Sequence, residues 1–113
     1  MEFAERAARN EEIFREINEK IEAGAERHGV SSPLPFHCEC AAASCTETIE
    51  LDPASYERIA ANPLHFVVKP DHRVEGVETV IAEHGDYVVV EKTGKARAEI
   101  EQEHPRPRHH RND

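Results

Sequence analysis

The first 28 residues carry apolar side chains at helical spacing. Good helix formers dominate this segment, and no proline occurs before Pro33. We therefore predict a helix over residues 1–28 whose narrow apolar stripe packs on the rest of the protein. The alternative is that the stripe pairs with a second copy of the chain or with a partner helix. The stripe consists of Phe3, Ala7, Phe14, Ile17 and Ile21.

The pattern changes after this helix. Residues 29–35 contain a glycine, two serines and two prolines, a composition typical of a linker. A compact domain over residues 36–92 is predicted to follow, beginning with a short extended segment at 36–39. Residues 46–51 alternate polar and apolar side chains, which predicts a half-buried strand.

Asp52 and Pro53 form a helix-start signal, because aspartate caps the first free amides and proline suits the first helical position. We expect this second helix to continue to Ala61, with Tyr56 and Ile59 facing inward.

Three further apolar runs indicate strands. Residues 64–69 read as one strand, and residues 79–83 and 87–91 flank a short turn containing Gly85, as in a hairpin. The predicted fold class is α+β: a long N-terminal helix followed by a small, metal-stapled antiparallel sheet with one short helix. Residues 93–113 are rich in proline, histidine and charge, which predicts a disordered tail.

Composition and charge disfavour nucleic acid and a membrane span. The 113 residues carry a net charge of −9, and residues 29–92 alone hold eleven acids and four bases. An acidic domain repels phosphate backbones, so nucleic acid is a disfavoured partner, although the tail contains a basic cluster at 106–111. No apolar run is long enough for a membrane span. Without an apolar signal segment at the start, we expect a cytoplasmic protein.

The three cysteines, Cys38, Cys40 and Cys45, lie within eight residues. Three thiolates and one further donor suit a metal ion with tetrahedral coordination. A bound ion would also stabilise a domain this small, whose apolar core is limited. The interpretation is a structural zinc site. We favour His72 as the fourth ligand, because it follows a predicted strand in a loop that can return to the cysteines. The alternative ligands are His65, His37 and His84, with Glu39 or Asp71 as oxygen donors.

Other uses of the cysteines are less well supported. They could be buried and metal-free. An iron–sulfur cluster would lack its fourth thiolate, and a disulfide between Cys38 and Cys40 would be strained by the one-residue gap. The paired motifs of zinc deaminases are missing, as are phosphate-binding loops and nucleophile elbows. We therefore do not expect an enzyme.

The cysteine run Phe-x-Cys-Glu-Cys-x4-Cys resembles a group of small, uncharacterised bacterial proteins common in high-GC Gram-positive bacteria. The likeness extends over residues 11–92 and includes the helix segment 10–18, Pro70-Asp71-His72 and the final strand at 87–92. In that group a histidine usually stands at the position of His72, often after glycine where this chain has Asp71. The resemblance implies a Cys3His zinc module and no established activity.

The functional hypothesis is a zinc-binding protein that acts as a protein-interaction or regulatory adaptor. Its expected partner is another protein, with a homodimer through the N-terminal helix as a further option. The alternative function is a thiol-based redox or zinc sensor that loses its metal on oxidation.

Overall fold

The computed structural model describes residues 3–74, 76–93, 97, 98 and 101, with side chains from Arg9 onward. Its helices and strands confirm the predicted α+β fold. A 3-10 turn at Pro70–His72 separates the third and fourth strands. In chain order the elements are α1 (Phe3–Arg27), β1 (Leu34–His37), β2 (Thr48–Leu51), α2 (Pro53–Ala60), β3 (His65–Val68), β4 (Glu78–Glu83) and β5 (Val88–Lys92).

The antiparallel strands are divided between two sheets. β1 pairs with β2, and β5 lies between β3 and β4. β1 begins at Leu34, within the segment predicted as a linker. The backbone amide of Glu39 donates to the carbonyl of Val67 at 2.7 Å and so joins the end of the first sheet to the second.

Local sequence signals account for α2 and for the hairpin. The Asp52 side chain accepts a hydrogen bond from the Ser55 amide, which caps the first turn of α2. Gly85 adopts a φ of 82° in the turn between β4 and β5, a conformation that glycine reaches without steric cost.

The core lies between α2 and the two sheets. The Phe36 and Tyr56 rings stack with centroids 4.6 Å apart, and both side chains are fully buried. Residues 66–68 of β3 and 88–90 of β5 supply further buried apolar side chains. This apolar cluster includes Cys38 and Cys40, so the thiols lie against the core.

The buried face of α1 differs from the predicted stripe. Phe14 is buried and Ile21 is half-buried, but Ile17 is 41% exposed, so its inward placement was wrong. Phe3 and Ala7 lie outside the described side chains. Among the described side chains of α1, most of the buried ones are polar, because the groups opposite them are backbone carbonyls, amides and charged side chains. These residues are Glu11, Arg15, Asn18 and Glu22.

Arg15 illustrates this polar packing. Its guanidinium donates to the carbonyls of Asn62 and Pro63, at 3.1 and 3.0 Å, and lies 4.3 Å from the centre of the Phe66 ring. It therefore fixes α1 to the connection between α2 and β3, with a cation–π contact beneath it.

A buried charge cluster fixes α1 to the second sheet. Lys92, which is 1% exposed, donates to the carboxylates of Glu11 and Glu78. Burial raises the pKa of the Glu11 carboxyl to about 7, against the opposing attraction of Lys92, and nearby Glu78 raises it further. Glu11 is therefore protonated in the folded protein at pH values where it is ionised in the unfolded chain.

This pKa shift predicts a pH dependence of stability. The protonated form of Glu11 stabilises the fold fully below about pH 4.5, and this contribution is lost as the pH rises through 7. The free energy of unfolding of Glu11→Gln, measured relative to that of the wild type, should therefore be about 1 kcal/mol greater at pH 8 than at pH 6. Urea unfolding at both pH values measures it, and a difference that does not grow with pH would contradict the assignment.

The predicted tail, residues 93–113, lies almost entirely outside the described residues. Within it, Arg97 donates to Glu101 at 3.1 Å, one helical turn away. Among the residues that the structure describes, no helix combines the length and the apolar character needed to cross a membrane.

Candidate metal centre

The structure brings Cys38, Cys40, Cys45 and His72 together. The first two cysteines follow β1, Cys45 lies in the loop before β2, and His72 ends the 3-10 turn after β3. One potential ligand atom from each residue lies within 4.8 Å of the others. Cys38 and Cys40 are buried, whereas Cys45 and His72 are half-buried.

The one-residue gap between Cys38 and Cys40 suits this arrangement. In extended chain, residues two apart point to the same side. Both thiols therefore face the cluster, whereas the side chains of His37 and Glu39 contact Phe14 and Asn18 of α1.

The distances fit a tetrahedral ion. The Nδ1 atom of His72 lies 3.5 Å from the Cys38 sulfur and 3.7 Å from the Cys45 sulfur. With zinc–sulfur and zinc–nitrogen bonds of about 2.3 and 2.0–2.1 Å, two ligands at a tetrahedral angle are about 3.6 Å apart. The donor atoms present thus fit one zinc-sized ion with small adjustments.

Backbone amides already point at the sulfurs. The Lys69 amide donates to Cys38 at 3.2 Å, and the Glu47 amide donates to Cys45 at 3.5 Å. The Ala42 amide donates to the Cys40 sulfur. Such bonds stabilise the thiolate form, which is the form that binds metal.

The three thiols differ in pKa. A hydrogen bond from the Cys38 thiol lowers the pKa of Cys40 to about 5, although burial opposes the shift. The same bond, together with burial, raises the pKa of Cys38 far above its usual value. Burial also raises the pKa of Cys45, which is less enclosed. The cluster thus holds a thiolate at neutral pH, and a cation would replace the shared proton.

His72 presents one ring nitrogen to the sulfurs and the other to Asp71. Its Nε2 atom is 3.9 Å from the Asp71 carboxylate, which is 89% exposed. Nitrogen ligands of metals usually have a carboxylate or carbonyl near the second ring nitrogen, which fixes the tautomer. At 3.9 Å this contact is too long for a hydrogen bond, so Nδ1 is identified as the potential ligand atom by its distances to the Cys38 and Cys45 sulfurs.

The other candidate ligands have other roles. The His37 ring lies within hydrogen-bond distance of the carbonyls of Cys38 and Cys45, at 2.5 and 2.9 Å, and so braces the loop from outside. His65 is half-buried at the start of β3, and His84 stacks on Tyr87 in the hairpin. None of these three histidines belongs to the ligand cluster found among the described residues.

Glu39 is a structural residue that sequence reasoning underestimated. Its carboxylate is fully buried and accepts hydrogen bonds from Asn18 at 2.9 Å, the Tyr56 hydroxyl at 2.5 Å and the Val67 amide at 3.1 Å. It also raises the pKa of Tyr56 well above the usual value, after the larger effect of burial. The signal in the sequence was its position between two cysteines, since its side chain must point away from both thiols.

Substitutions of His72 and His84 should distinguish a metal ligand from a histidine outside the cluster. His72→Ala removes the only nitrogen donor of the described cluster, so we expect metal affinity to fall more than about 100-fold, beyond the 10- to 100-fold loss typical of an outer contact. His84→Ala, the matched control, should leave affinity unchanged. Competition with a chromophoric chelator measures both, and equal affinities would refute His72 as a ligand.

Comparisons with models of known protein families, with curated proteins and with solved structures gave no match to this chain.

Proposed function

We propose that the chain is a zinc-binding protein whose Cys3His site, formed by Cys38, Cys40, Cys45 and His72, is structural. The observation that carries the proposal is the convergence of three sulfurs and one imidazole within 4.8 Å, from two separate parts of the chain. Soft sulfur donors with one imidazole in tetrahedral arrangement are typical of zinc. The ion would then link the loop after β1 to the turn after β3.

A structural role fits the ligand count better than a catalytic one. Catalytic zinc keeps an open position for water, whereas four protein ligands fill the tetrahedron. Glu39, the acid closest in sequence to the cysteines, is committed to three hydrogen bonds inside the core. We therefore propose that the protein is not an enzyme.

The proposed activity is protein interaction, as an adaptor or regulatory module. It is supported by two large apolar side chains on the outer face of α1, Ile13 and Ile17, which are 48% and 41% exposed. They lie one helical turn apart and belong to a chain of net charge −9, which disfavours nucleic acid as the partner. A second copy of the chain could use the same helix.

Cross-linking in the native host tests this activity. The double variant Ile13→Glu/Ile17→Glu should lose a protein partner that the wild type retains. Ile81→Glu, which alters an equally exposed isoleucine on β4, is the matched control. Retention of all cross-links by the α1 variant would contradict an interaction through this helix, and loss of a self-cross-link would identify the partner as a second copy.

A redox or zinc sensor is the second candidate, and the exposure of the site favours it. Cys45 is half-buried and the His72 side chain is 29% exposed, so oxidants can reach one edge of the cluster. A sensor should release zinc at low peroxide concentrations, whereas a structural adaptor should retain it. Zinc release followed with a chromophoric chelator during peroxide titration distinguishes the two.

A further inference from the structure

We propose that helix α1 is a positioning element of the metal centre, so that metal affinity depends on the docking of this helix through Asn18 and Asn10. The inference rests on the proposed metal site. It concerns residues that lie some twenty to thirty positions before the cysteines and touch none of the four ligand atoms.

Asn18 makes three hydrogen bonds to the segment that carries the first two ligands. Its side-chain oxygen accepts from the His37 amide at 2.7 Å, and its side-chain nitrogen donates to the His37 carbonyl at 2.8 Å. The same nitrogen donates to the Glu39 carboxylate at 2.9 Å. Because Asn18 is fully buried, water cannot replace these bonds when the side chain is removed.

Two other residues of α1 extend the contact along the loop. Asn10 donates to the Ala41 carbonyl at 2.7 Å. The Phe14 ring stacks on the His37 ring, with centroids 4.0 Å apart. The helix therefore touches the loop at three successive odd positions, 37, 39 and 41.

The alternation explains how these contacts position the metal ligands. The side chains of His37 and Glu39 contact α1, through the Phe14 ring and the Asn18 amide. Cys38 and Cys40 alternate with them, so their thiols face away from the helix. The Asn18 pair of hydrogen bonds to both backbone groups of His37 also sets the rotation of the strand about its axis. Misplaced thiols would have to be reordered at the cost of binding free energy.

The coupling is reciprocal, because a group that strengthens metal binding is itself held more firmly when metal is bound. Among the side chains of α1 that the structure describes, from Arg9 onward, the apolar contribution to the core is small: Phe14 and Ala25 are buried and Ile21 is half-buried. Its docking therefore relies heavily on polar contacts, and an ordered metal loop supplies several of them.

The test compares the zinc affinity of the full-length variants Asn18→Ala and Val90→Ala by chelator competition. Val90 is a fully buried β5 residue that does not contact the loop through any described hydrogen bond, so it controls for general destabilisation. We expect Asn18→Ala to weaken zinc binding 10- to 100-fold and Val90→Ala to weaken it less than about threefold, at a temperature where both are folded. Equal losses in the two variants would overturn the proposal.

A second pair of variants, with a smaller expected effect on stability, tests the proposal if Asn18→Ala does not fold. Asn10→Ala removes one hydrogen bond to the loop, which corresponds to about a fivefold loss of affinity, while Arg9→Ala alters an exposed neighbour and should change nothing. Unchanged affinity in Asn10→Ala would also overturn the proposal. A wild-type protein that binds no zinc would reject the metal site itself, whereas tight wild-type binding with unaffected α1 variants would reject the coupling alone.

Discussion

Cys40→Ser is expected to abolish the cooperative thermal transition of the protein. The substitution removes one of four potential ligands whose donor atoms all lie within 4.8 Å of one another, and Cys40 is only 2% exposed. A structural zinc contributes roughly 10–16 kcal/mol of apparent binding free energy, which is comparable to the whole stability of a small domain at about 5–15 kcal/mol. Loss of the site should therefore leave the chain largely unfolded at 25 °C.

Circular dichroism during heating measures this effect. Ser44→Ala is the matched control, because Ser44 belongs to the same loop but is exposed; its melt should match that of the wild type. A wild-type melt in Cys40→Ser would show that the fold does not depend on a metal.

Glu39→Ala is expected to have the second largest effect. It leaves the Tyr56 hydroxyl and the Val67 amide without their acceptor, and it removes one of the two acceptors of the Asn18 side-chain nitrogen. Each unsatisfied buried donor costs about 1–3 kcal/mol, so the free energy of unfolding should fall by more than about 3 kcal/mol.

Chemical denaturation measures the difference between Glu39→Ala and Glu50→Ala. Glu50 lies on β2 with an exposed side chain, so its removal should cost less than about 0.5 kcal/mol. Similar losses in the two variants would mean that the Glu39 hydrogen bonds contribute little to the fold.

The local signals in the sequence were sufficient for much of the fold. The alternation of residues 48–51, the aspartate cap before α2 and the glycine turn of the hairpin each act over a few residues, and each appears in the structure. The position of His72 was also predictable, since a short loop after a strand can bring a side chain back to a neighbouring turn. The structure places it in the cysteine cluster.

The role of α1 could not be read from its apolar residues. Periodicity identified the helix, but Ile13 and Ile17 are exposed while Arg15 and Asn18 are fully buried. Polar side chains enter the core only where partners are available, and those partners come from distant segments: the loop after β1, the α2–β3 connection and Lys92 of β5. No rule based on hydrophobic spacing contains that information.

Metal analysis of the purified, folded protein tests whether the fold depends on a bound zinc ion. Inductively coupled plasma mass spectrometry and native mass spectrometry together give the metal identity and the number of ions per chain. We expect one zinc ion per chain, released together with loss of the folded state when a strong chelator is added. A chain that folds cooperatively without any bound metal would contradict it.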